Sequence, residues 1–220
     1  MTAGKGWDWE QALTAMPGRW TEVADELFSF ANELRRRRCR QVYDLGCGVG
    51  RHSVFLAQQG FEVTAADISS SAIEQTRANL RAADVEARLQ RLDMTEWPFA
   101  DDAFDAVVAF NVVYHARRDQ IEAILAQIRR VLRPRGLLLV TFKSTLDSEC
   151  GQGQALAPFT WAPTAGIEAG IAHYYVDADE ARRLLENFEL VSMVHKQELP
   201  LAGDNERHRA HWVIRAIAPG

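Results

Sequence analysis

The chain has 220 residues, the length of one domain, and its 47% hydrophobic and 25% charged residues are typical of a globular protein. This composition excludes disorder for most of the chain. A formal charge of −5 argues against a large basic face that binds nucleic acid. The strongest apolar run, Gly136–Phe142, is too short to cross a membrane, and the first residues contain no apolar signal region, so we expect a cytoplasmic protein.

Cysteine and histidine spacing predicts no metal site. Cys39, Cys47 and Cys150 lie far apart without a C-x-x-C pair, which is typical of reduced thiols. The six histidines are scattered and form no H-E-x-x-H helix. Metal-dependent chemistry is therefore not expected.

The chain begins with a predicted helical cap over residues 1–40, in which Val23, Leu27, Phe30 and Leu34 fall on one helical face. A cofactor-binding core at 41–142 follows, in which strands and helices alternate. The predicted strands are 41–45, 61–66, 85–91, 104–110 and 137–142, and the predicted helices are 51–59, 70–83 and 119–132. Such alternation requires a parallel sheet that is covered on both faces.

The remaining segments are a lid or insertion at 143–176 and a C-terminal helix and strand pair at 177–220. The irregular stretch 143–172 has too many glycines and prolines for a core element, and a disordered insertion is the alternative to a lid. A turn at 202–205 makes the last two strands antiparallel. We predict one α/β domain: a doubly wound, mostly parallel seven-stranded sheet with helices on both faces and an antiparallel C-terminal strand pair.

A glycine-rich turn after the first strand is the most informative segment, with Gly46, Gly48 and Gly50 ahead of a helix. Glycine is needed where φ is positive or where a ligand lies against the main chain, and the helix N-terminus offers free N–H groups. Asp67 ends the second strand, where a carboxylate can bind both ribose hydroxyls. Arg51 stands where a dinucleotide-binding turn has its third glycine, which disfavours a nicotinamide or flavin dinucleotide.

With these residues the chain resembles the class I S-adenosylmethionine-dependent methyltransferases, most closely over residues 41–142. The run Asp44-Leu-Gly-Cys-Gly-Val-Gly50 is similar to the family motif D-x-G-x-G-x-G. The resemblance implies that this turn holds the methionine part of S-adenosylmethionine, with Cys47 as a small filler, and that Asp67 holds the ribose. Asp93 and Met94 resemble the family's pair that contacts adenine.

Other positions are candidates for cofactor contact by the same resemblance. Asn111 lies in a segment similar to the family's fourth-strand motif, and Ile68 follows Asp67. His52 starts the helix after the glycine turn, and in this family N-terminal residues such as Arg19 and Trp20 often cover the cofactor.

The methyl acceptor is predicted by exclusion. The segment Asn111–Tyr114 lacks the prolines of the Asn/Asp-Pro-Pro-aromatic tetrad of amino-methylating enzymes, and the Pro-Cys nucleophile of cytosine-C5 enzymes is absent. A small molecule is the favoured acceptor, and a protein or nucleic-acid acceptor is the alternative. Tyr114 and His115 are the candidate catalytic residues, and His115 is expected to position the acceptor more than to act as a base.

Two alternatives to methyl transfer stay open. The first is aminopropyl transfer from the decarboxylated cofactor, for which Asn111–His115 offers no acidic pair. The second is a non-catalytic module that binds the cofactor, for which an acceptor pocket filled by side chains would be the evidence.

Further candidate residues near the acceptor are His173, Tyr174 and Tyr175, together with Trp7 and Trp9.

Overall fold

A computed structural model describes residues 20–198 and 208–220, with five helices and ten strands in that part of the chain. The helices are α1 (Asp25–Arg36), α2 (Arg51–Gln58), α3 (Ser70–Ala82), α4 (Arg118–Val131) and α5 (Ala178–Leu184). The strands are β1 (Gln41–Leu45), β2 (Glu62–Asp67), β3 (Arg88–Arg91), β4 (Phe104–Ala109), β5 (Leu132–Ser144), β6 (Gln154–Ala157), β7 (Thr160–Ala162), β8 (His173–Val176), β9 (Glu189–Glu198) and β10 (Arg209–Ile217). Arg19, Trp7, Trp9 and the turn predicted at 202–205 lie outside the described residues.

The central sheet has the predicted architecture. Strands β3, β2, β1, β4 and β5 lie side by side and parallel in that order. Beyond β5, β10 is antiparallel to β5 and β9 is antiparallel to β10. These seven strands confirm the doubly wound, mostly parallel sheet with an antiparallel C-terminal pair.

Two apolar cores cover the two faces of this sheet. Alternate residues of β4 point in opposite directions, so that Val107 packs in the core with α4 and α5, whereas Val108 packs in the core with α1, α2 and α3. Helix α1 buries Leu27, Phe30 and Leu34, which confirms the predicted face for these three residues. The fourth, Val23, lies before the helix begins and is half-buried. Helices on both faces are what a parallel sheet buried on both sides requires.

The insertion at 143–176 is more regular than the sequence predicts. It contains β6, β7 and β8, which pair antiparallel in that order. Strand β8 also pairs in parallel with the last two residues of β5, Lys143 and Ser144. The sequence did not predict β6 and β7, because short strands with few apolar residues give little periodic signal. Most of 145–172 outside these two strands is turn and loop, in keeping with the predicted irregular stretch.

Some element boundaries also differ from the prediction. β3 is limited to four half-exposed residues, whereas β5 begins five residues earlier than predicted and continues two residues further. Residues such as Leu132 join β5 because they pair with the start of β4. Over the described residues, no helix is both long and apolar enough to span a lipid bilayer.

Candidate active site

The glycine turn after β1 is fixed by backbone contacts. Gly46, Gly48 and Gly50 have φ values of 68°, 56° and 82°, in the left-handed region that favours glycine. The N–H groups of Gly46 and Cys47 both donate to the carbonyl of Ala66 on β2, at 2.8 and 2.9 Å. A Cβ atom on Gly46 would lie 2.3 Å from a methyl group of Val112, so this position has no room for a side chain.

Helix α3 holds the turn from behind. Thr76 Oγ1 donates to the carbonyl of Gly48 at 2.8 Å, and the side-chain amide of Asn79 donates to the carbonyl of Val49 at 2.8 Å. A Cβ atom on Gly50 would lie 2.5 Å from the Thr76 side chain. Contacts within the protein therefore support the conformation of the turn, and the sequence alone did not identify Thr76 and Asn79 as its supports.

Two carboxylates flank the turn in different ways. Asp67 accepts hydrogen bonds from the N–H groups of Gly48 and Ser69, each at 2.9 Å, and it lies at the wall of a cavity. Asp44 is buried beneath the turn and accepts a 2.6 Å hydrogen bond from Ser53 of α2. Burial raises the pKa of both carboxyls, and that of Asp44 to about 6.

A cavity of about 870 Å³ opens above the carboxyl ends of the parallel strands, where open α/β sheets bind their ligands. Most of the predicted cofactor residues line it, together with one predicted catalytic residue: Trp20, Gly46, Cys47, Gly48, His52, Asp67, Ile68, Asp93, Met94, Asn111 and His115. Asp44, Gly50 and Tyr114 lie outside its walls and are adjacent to it in sequence. The predicted contacts to a cofactor stay predictions.

Asp93 and Met94 form a tight turn at one end of the cavity. One oxygen of Asp93 accepts hydrogen bonds from the N–H and the hydroxyl of Thr95, at 2.9 and 2.8 Å. The Asp93 N–H donates to Glu96 at 3.0 Å, which closes the turn in the manner of a capping box. The second oxygen of Asp93 takes part in neither of the Thr95 bonds.

The segment before α1 contacts the start of α2. His52 Nε2 accepts a 3.4 Å hydrogen bond from the N–H of Ala24, and burial together with the charge of Arg51 lowers the pKa of His52 far below its usual value. Arg51 donates to the carbonyl of Glu22 at 3.0 Å and lies over the ring of Phe110. Trp20, two residues before Glu22, lies at the cavity wall, and its predicted contact with the cofactor stays a prediction.

The turn after β4 carries Asn111, which has a φ of 57°. Its N–H donates to Thr141 Oγ1 at 2.7 Å, and the Thr141 hydroxyl donates to Asn111 Oδ1 at 3.1 Å. This reciprocal pair fixes a non-glycine residue in the left-handed region, which asparagine tolerates better than most residues.

Tyr114 and His115 follow this turn and differ in position. Tyr114 is buried, its ring packs against His115 with centroids 4.5 Å apart, and its carbonyl accepts a hydrogen bond from the N–H of Tyr174 at 2.8 Å. Of the two residues, only His115 lines the cavity. Tyr114 therefore packs against a residue of the cavity wall without lining the cavity itself.

The insertion forms one side of the cavity through Leu156, Gly170, Ile171 and Ala172. Of the predicted run His173–Tyr175, none lines the cavity, and all three side chains are buried. Tyr174 donates its hydroxyl to Glu180 at 2.8 Å, while Tyr175 packs against Trp161 and Lys143.

Three ionisable side chains meet beside this wall. His115 Nε2 lies 3.7 Å from Glu168 Oε1, and His173 Nε2 lies 3.6 Å from Glu168 Oε2. Burial, with the charges of His115 and Lys143, lowers the pKa of His173 to about 2. Burial opposes ionisation of Glu168, but the adjacent histidines bring its pKa to about 2, so a carboxylate and a neutral His173 are expected at neutral pH.

The sequence did not identify Glu168 as a candidate site residue. It lies 53 residues after His115, in the part of the insertion with the fewest pattern signals. Glu168 lies in the loop before β8, and β8 pairs with the end of β5, so its approach to His115 depends on contacts between distant segments.

Comparison with known proteins connects this geometry to a family. Residues 42–136 match the family model described as a methyltransferase domain. This match supports, over these residues, the predicted resemblance to the class I S-adenosylmethionine-dependent methyltransferases. The matched region contains the glycine turn, Asp67, Asp93 and the turn after β4, which are the residues on which the predicted resemblance rests.

Individual methyltransferases are also similar to this chain in sequence. The O-methyltransferase resE of Aspergillus sclerotiorum is 35% identical over 155 residues, which are 68% of this chain and 54% of that protein. The methyltransferase GfsG of Streptomyces halstedii is 35% identical over 114 residues, 49% of this chain and 40% of that protein. The chain thus spans about half the length of these curated relatives or less.

A solved S-adenosylmethionine-dependent methyltransferase from Methanosarcina mazei has the same fold. It superposes with a TM-score of 0.68 at 20% identity, covering 81% of this chain and 92% of that structure. The methyltransferase fold therefore extends over most of the chain, beyond the residues that match the family model.

Proposed function

We propose that this protein transfers a methyl group from S-adenosylmethionine to a small-molecule acceptor. The observation that carries the proposal is the cavity of about 870 Å³, which reaches from the glycine turn to the insertion. A site of this size is in the range of small-molecule sites, and it is lined by both apolar and polar groups. A non-catalytic module would have no need for the open space beside His115.

In the proposed complex the cofactor lies along the carboxyl ends of β1, β2 and β4. Asp67 offers its carboxylate to the ribose hydroxyls, and Asp93 has an oxygen available for the adenine amino group. Cys47 is a small buried side chain against the ligand; its raised pKa, caused by burial, argues against a nucleophile. Trp20, with Arg19, would cover the cofactor from the N-terminal side.

The proposed reaction is a direct displacement. A lone pair of the acceptor attacks the methyl carbon, the carbon–sulfur bond breaks, and its electron pair stays on sulfur to give S-adenosylhomocysteine. The cofactor brings its own activation, so the protein supplies orientation and exclusion of water. His115, at the cavity wall near the insertion, would orient the acceptor, and Tyr114 would support His115 from behind.

A small molecule is the proposed partner, in preference to a protein or a nucleic acid. The insertion closes one side of the cavity with Leu156 and Ile171, which suits a compact acceptor. The negative net charge gives no favourable long-range field for nucleic acid. All three cysteines are free, in keeping with a proposed cytoplasmic location.

Calorimetry and a turnover screen test this function. Purified protein should bind S-adenosylhomocysteine and not NAD, and it should transfer label from S-adenosylmethionine to at least one member of a metabolite panel. Tighter binding of NAD would contradict the cofactor assignment. Tight cofactor binding without transfer to any acceptor in a broad panel would favour the non-catalytic module.

A substitution at His115 separates its two possible roles. If His115 orients the acceptor by direct contact alone, His115→Asn should raise KM for the acceptor, keep a substantial share of kcat and shift the pH profile little. If it were the base, kcat should fall by about 10²–10⁴-fold and the acidic limb of the profile should vanish. Unaltered kcat and KM would remove His115 from the site.

A further inference from the structure

The side chains of His115, Glu168 and His173 bring three possible metal-ligand atoms close together. Each side chain contributes one nitrogen or oxygen atom, and these atoms all lie within 4.8 Å of one another. Two histidines and one carboxylate are the ligand set of catalytic zinc sites that keep an open position for water or substrate. His115 also lines the cavity, so such an open position can face the acceptor.

The nitrogen–oxygen distances in the cluster are longer than those of ordinary hydrogen bonds. The two nitrogen–oxygen distances of 3.7 and 3.6 Å exceed the 2.7–3.2 Å range of N–H···O bonds. Ligands of a tetrahedral ion with bonds near 2.1 Å lie about 3.4 Å apart, which agrees with the observed spacing to within a few tenths of an ångström.

His173 provides a second, independent observation. Its side chain is fully buried, and within the described residues neither ring nitrogen has a hydrogen-bond partner. A buried polar group without a partner destabilises the folded state, so such groups in folded proteins call for a ligand or a function. His173 Nε2 is the atom nearest the Glu168 carboxylate, where it would act as a ligand.

The backbone holds the three ligands in place before any ion binds. The N–H of Tyr174 donates to the carbonyl of Tyr114, which links the neighbours of His173 and His115 at 2.8 Å. The N–H of His115 donates to the carbonyl of Val112 at 3.0 Å, and the N–H of Ile171 donates to the carbonyl of Glu168 at 2.9 Å. A site on bonded backbone loses little entropy when it binds a metal.

We propose that His115, Glu168 and His173 bind one divalent transition-metal ion of the zinc type beside the cofactor cavity, and that this ion holds an oxygen of the methyl acceptor. The inference rests on the proposed function and sharpens it, since it assigns the acceptor a hydroxyl or similar oxygen that binds the metal. His115 then orients the acceptor through the ion. The sequence prediction of no metal site reflects ligand spacing of 53 and 5 residues, which matches no short motif.

The ion would also assist the displacement. A metal-bound hydroxyl loses its proton more readily than a free one, and the proton passes to water in the cavity. The resulting oxygen forms the new bond to the methyl carbon as the carbon–sulfur bond breaks, so that the products are the methyl ether, S-adenosylhomocysteine and one released proton.

Titration of the metal-free full chain with Co²⁺ tests the site without acceptor or cofactor. The visible absorption of tetrahedral Co²⁺ should rise to one equivalent per chain, and Zn²⁺ should displace it. Glu168→Gln and His173→Asn should each weaken Co²⁺ binding by at least about tenfold. Glu168→Gln is the primary variant because Glu168 is less buried than His173, and thermal unfolding followed by circular dichroism verifies that both variants fold.

His195→Gln is the matched control. His195 bonds to Ser144 at 2.8 Å and belongs neither to the cluster nor to the cavity wall, so Co²⁺ affinity should be unchanged. Absence of Co²⁺ binding, or binding that is equal in Glu168→Gln and the original chain, would overturn the proposal. S-Adenosylhomocysteine affinity, measured without metal, reports separately on the proposed function, so that failure of either is recognised by itself.

Discussion

The glycine-turn side of the cavity and the insertion side satisfy their polar groups in different ways. On the glycine-turn side, the carbonyls of Gly48 and Val49 already accept hydrogen bonds from α3, and Asp67 accepts two from the backbone. On the insertion side, His173 is buried without a hydrogen-bond partner in the described part of the chain. The difference indicates that contacts within the protein complete the first, preformed side, and the proposed metal ion would supply the missing partner on the second.

The two sides also differ in how far apart along the chain their contacting residues lie. The glycine-turn side is built from three consecutive elements, β1, α2 and β2, with α3 directly after them. The insertion side joins His115 to residues more than fifty positions later in the chain. The following predictions test this contrast, beginning with the largest expected effect.

Gly46→Ala should be the most damaging change on the preformed side. The added Cβ would meet Val112 at 2.3 Å, and a φ of 68° is strained for alanine, so the loss of stability should be roughly 2–5 kcal/mol. Affinity for S-adenosylhomocysteine should fall by about a hundredfold or more. Denaturant unfolding and calorimetry measure the two effects.

Gly60→Ala is the control for backbone strain alone. Gly60 has a φ of 86° but nothing within 4 Å of the added Cβ atom. It should lose only about 1–2 kcal/mol of stability and keep its cofactor affinity. Equal losses in both variants would show that contact with Val112 does not matter.

Asp44→Asn tests the cost of the carboxyl buried beneath the turn. Its pKa is raised from 3.8 to about 6, so its contribution to stability is fully present below pH 4 and is lost as the pH rises through 6. The loss is about 3 kcal/mol over the whole titration at 1.36 kcal/mol per pKa unit, of which about 2 kcal/mol falls between pH 4.5 and 7. Asp44→Asn, which can still accept from Ser53, should lack this decline when urea unfolding is compared at pH 4.5 and 7. If the free energy of unfolding falls equally with pH in the original chain and in Asp44→Asn, ionisation of Asp44 is not the cause of the fall.

Asp67→Ala should weaken the cofactor complex. Ribose hydroxyls left without a charged acceptor cost roughly 1.5–3 kcal/mol, or about one to two decades in the Kd of S-adenosylhomocysteine. Asp105→Asn is the matched control, since Asp105 accepts from the N–H groups of Arg40 and Gln41 at the opposite end of the sheet. It should lower stability and leave the Kd unchanged; an unchanged Kd in folded Asp67→Ala would reject the ribose assignment.

The smallest expected effect concerns the insertion. If Leu156 and Ile171 close over a bound ligand, S-adenosylhomocysteine should slow hydrogen exchange of the amides at 151–172 severalfold. The exposed segment 37–40, between α1 and β1, serves as the internal control and should not change. Equal exchange with and without ligand at 151–172 would mean that the insertion is a fixed wall.

The sequence determined the central sheet and the glycine turn because their signals are local. Period-2 and helical patterns between residues 41 and 142 predicted the parallel strands, and the turn with Asp67 predicted the methyltransferase resemblance, because a positive φ at Gly46 demands glycine whatever surrounds it. The antiparallel C-terminal pair also followed from its two strand patterns.

Only the tertiary structure decided the insertion side. Glu168 could be recognised as a candidate site residue only from its position beside His115 and His173. On the other side of the cavity, the support that Thr76 and Asn79 give to the glycine turn likewise depends on how α3 packs. The strands of the insertion are short, and β8 takes its place by pairing with the end of β5, about thirty residues earlier in the chain. Contacts between such distant segments depend on packing, which leaves no periodic pattern in the sequence, whereas backbone geometry at a turn selects the residue type directly.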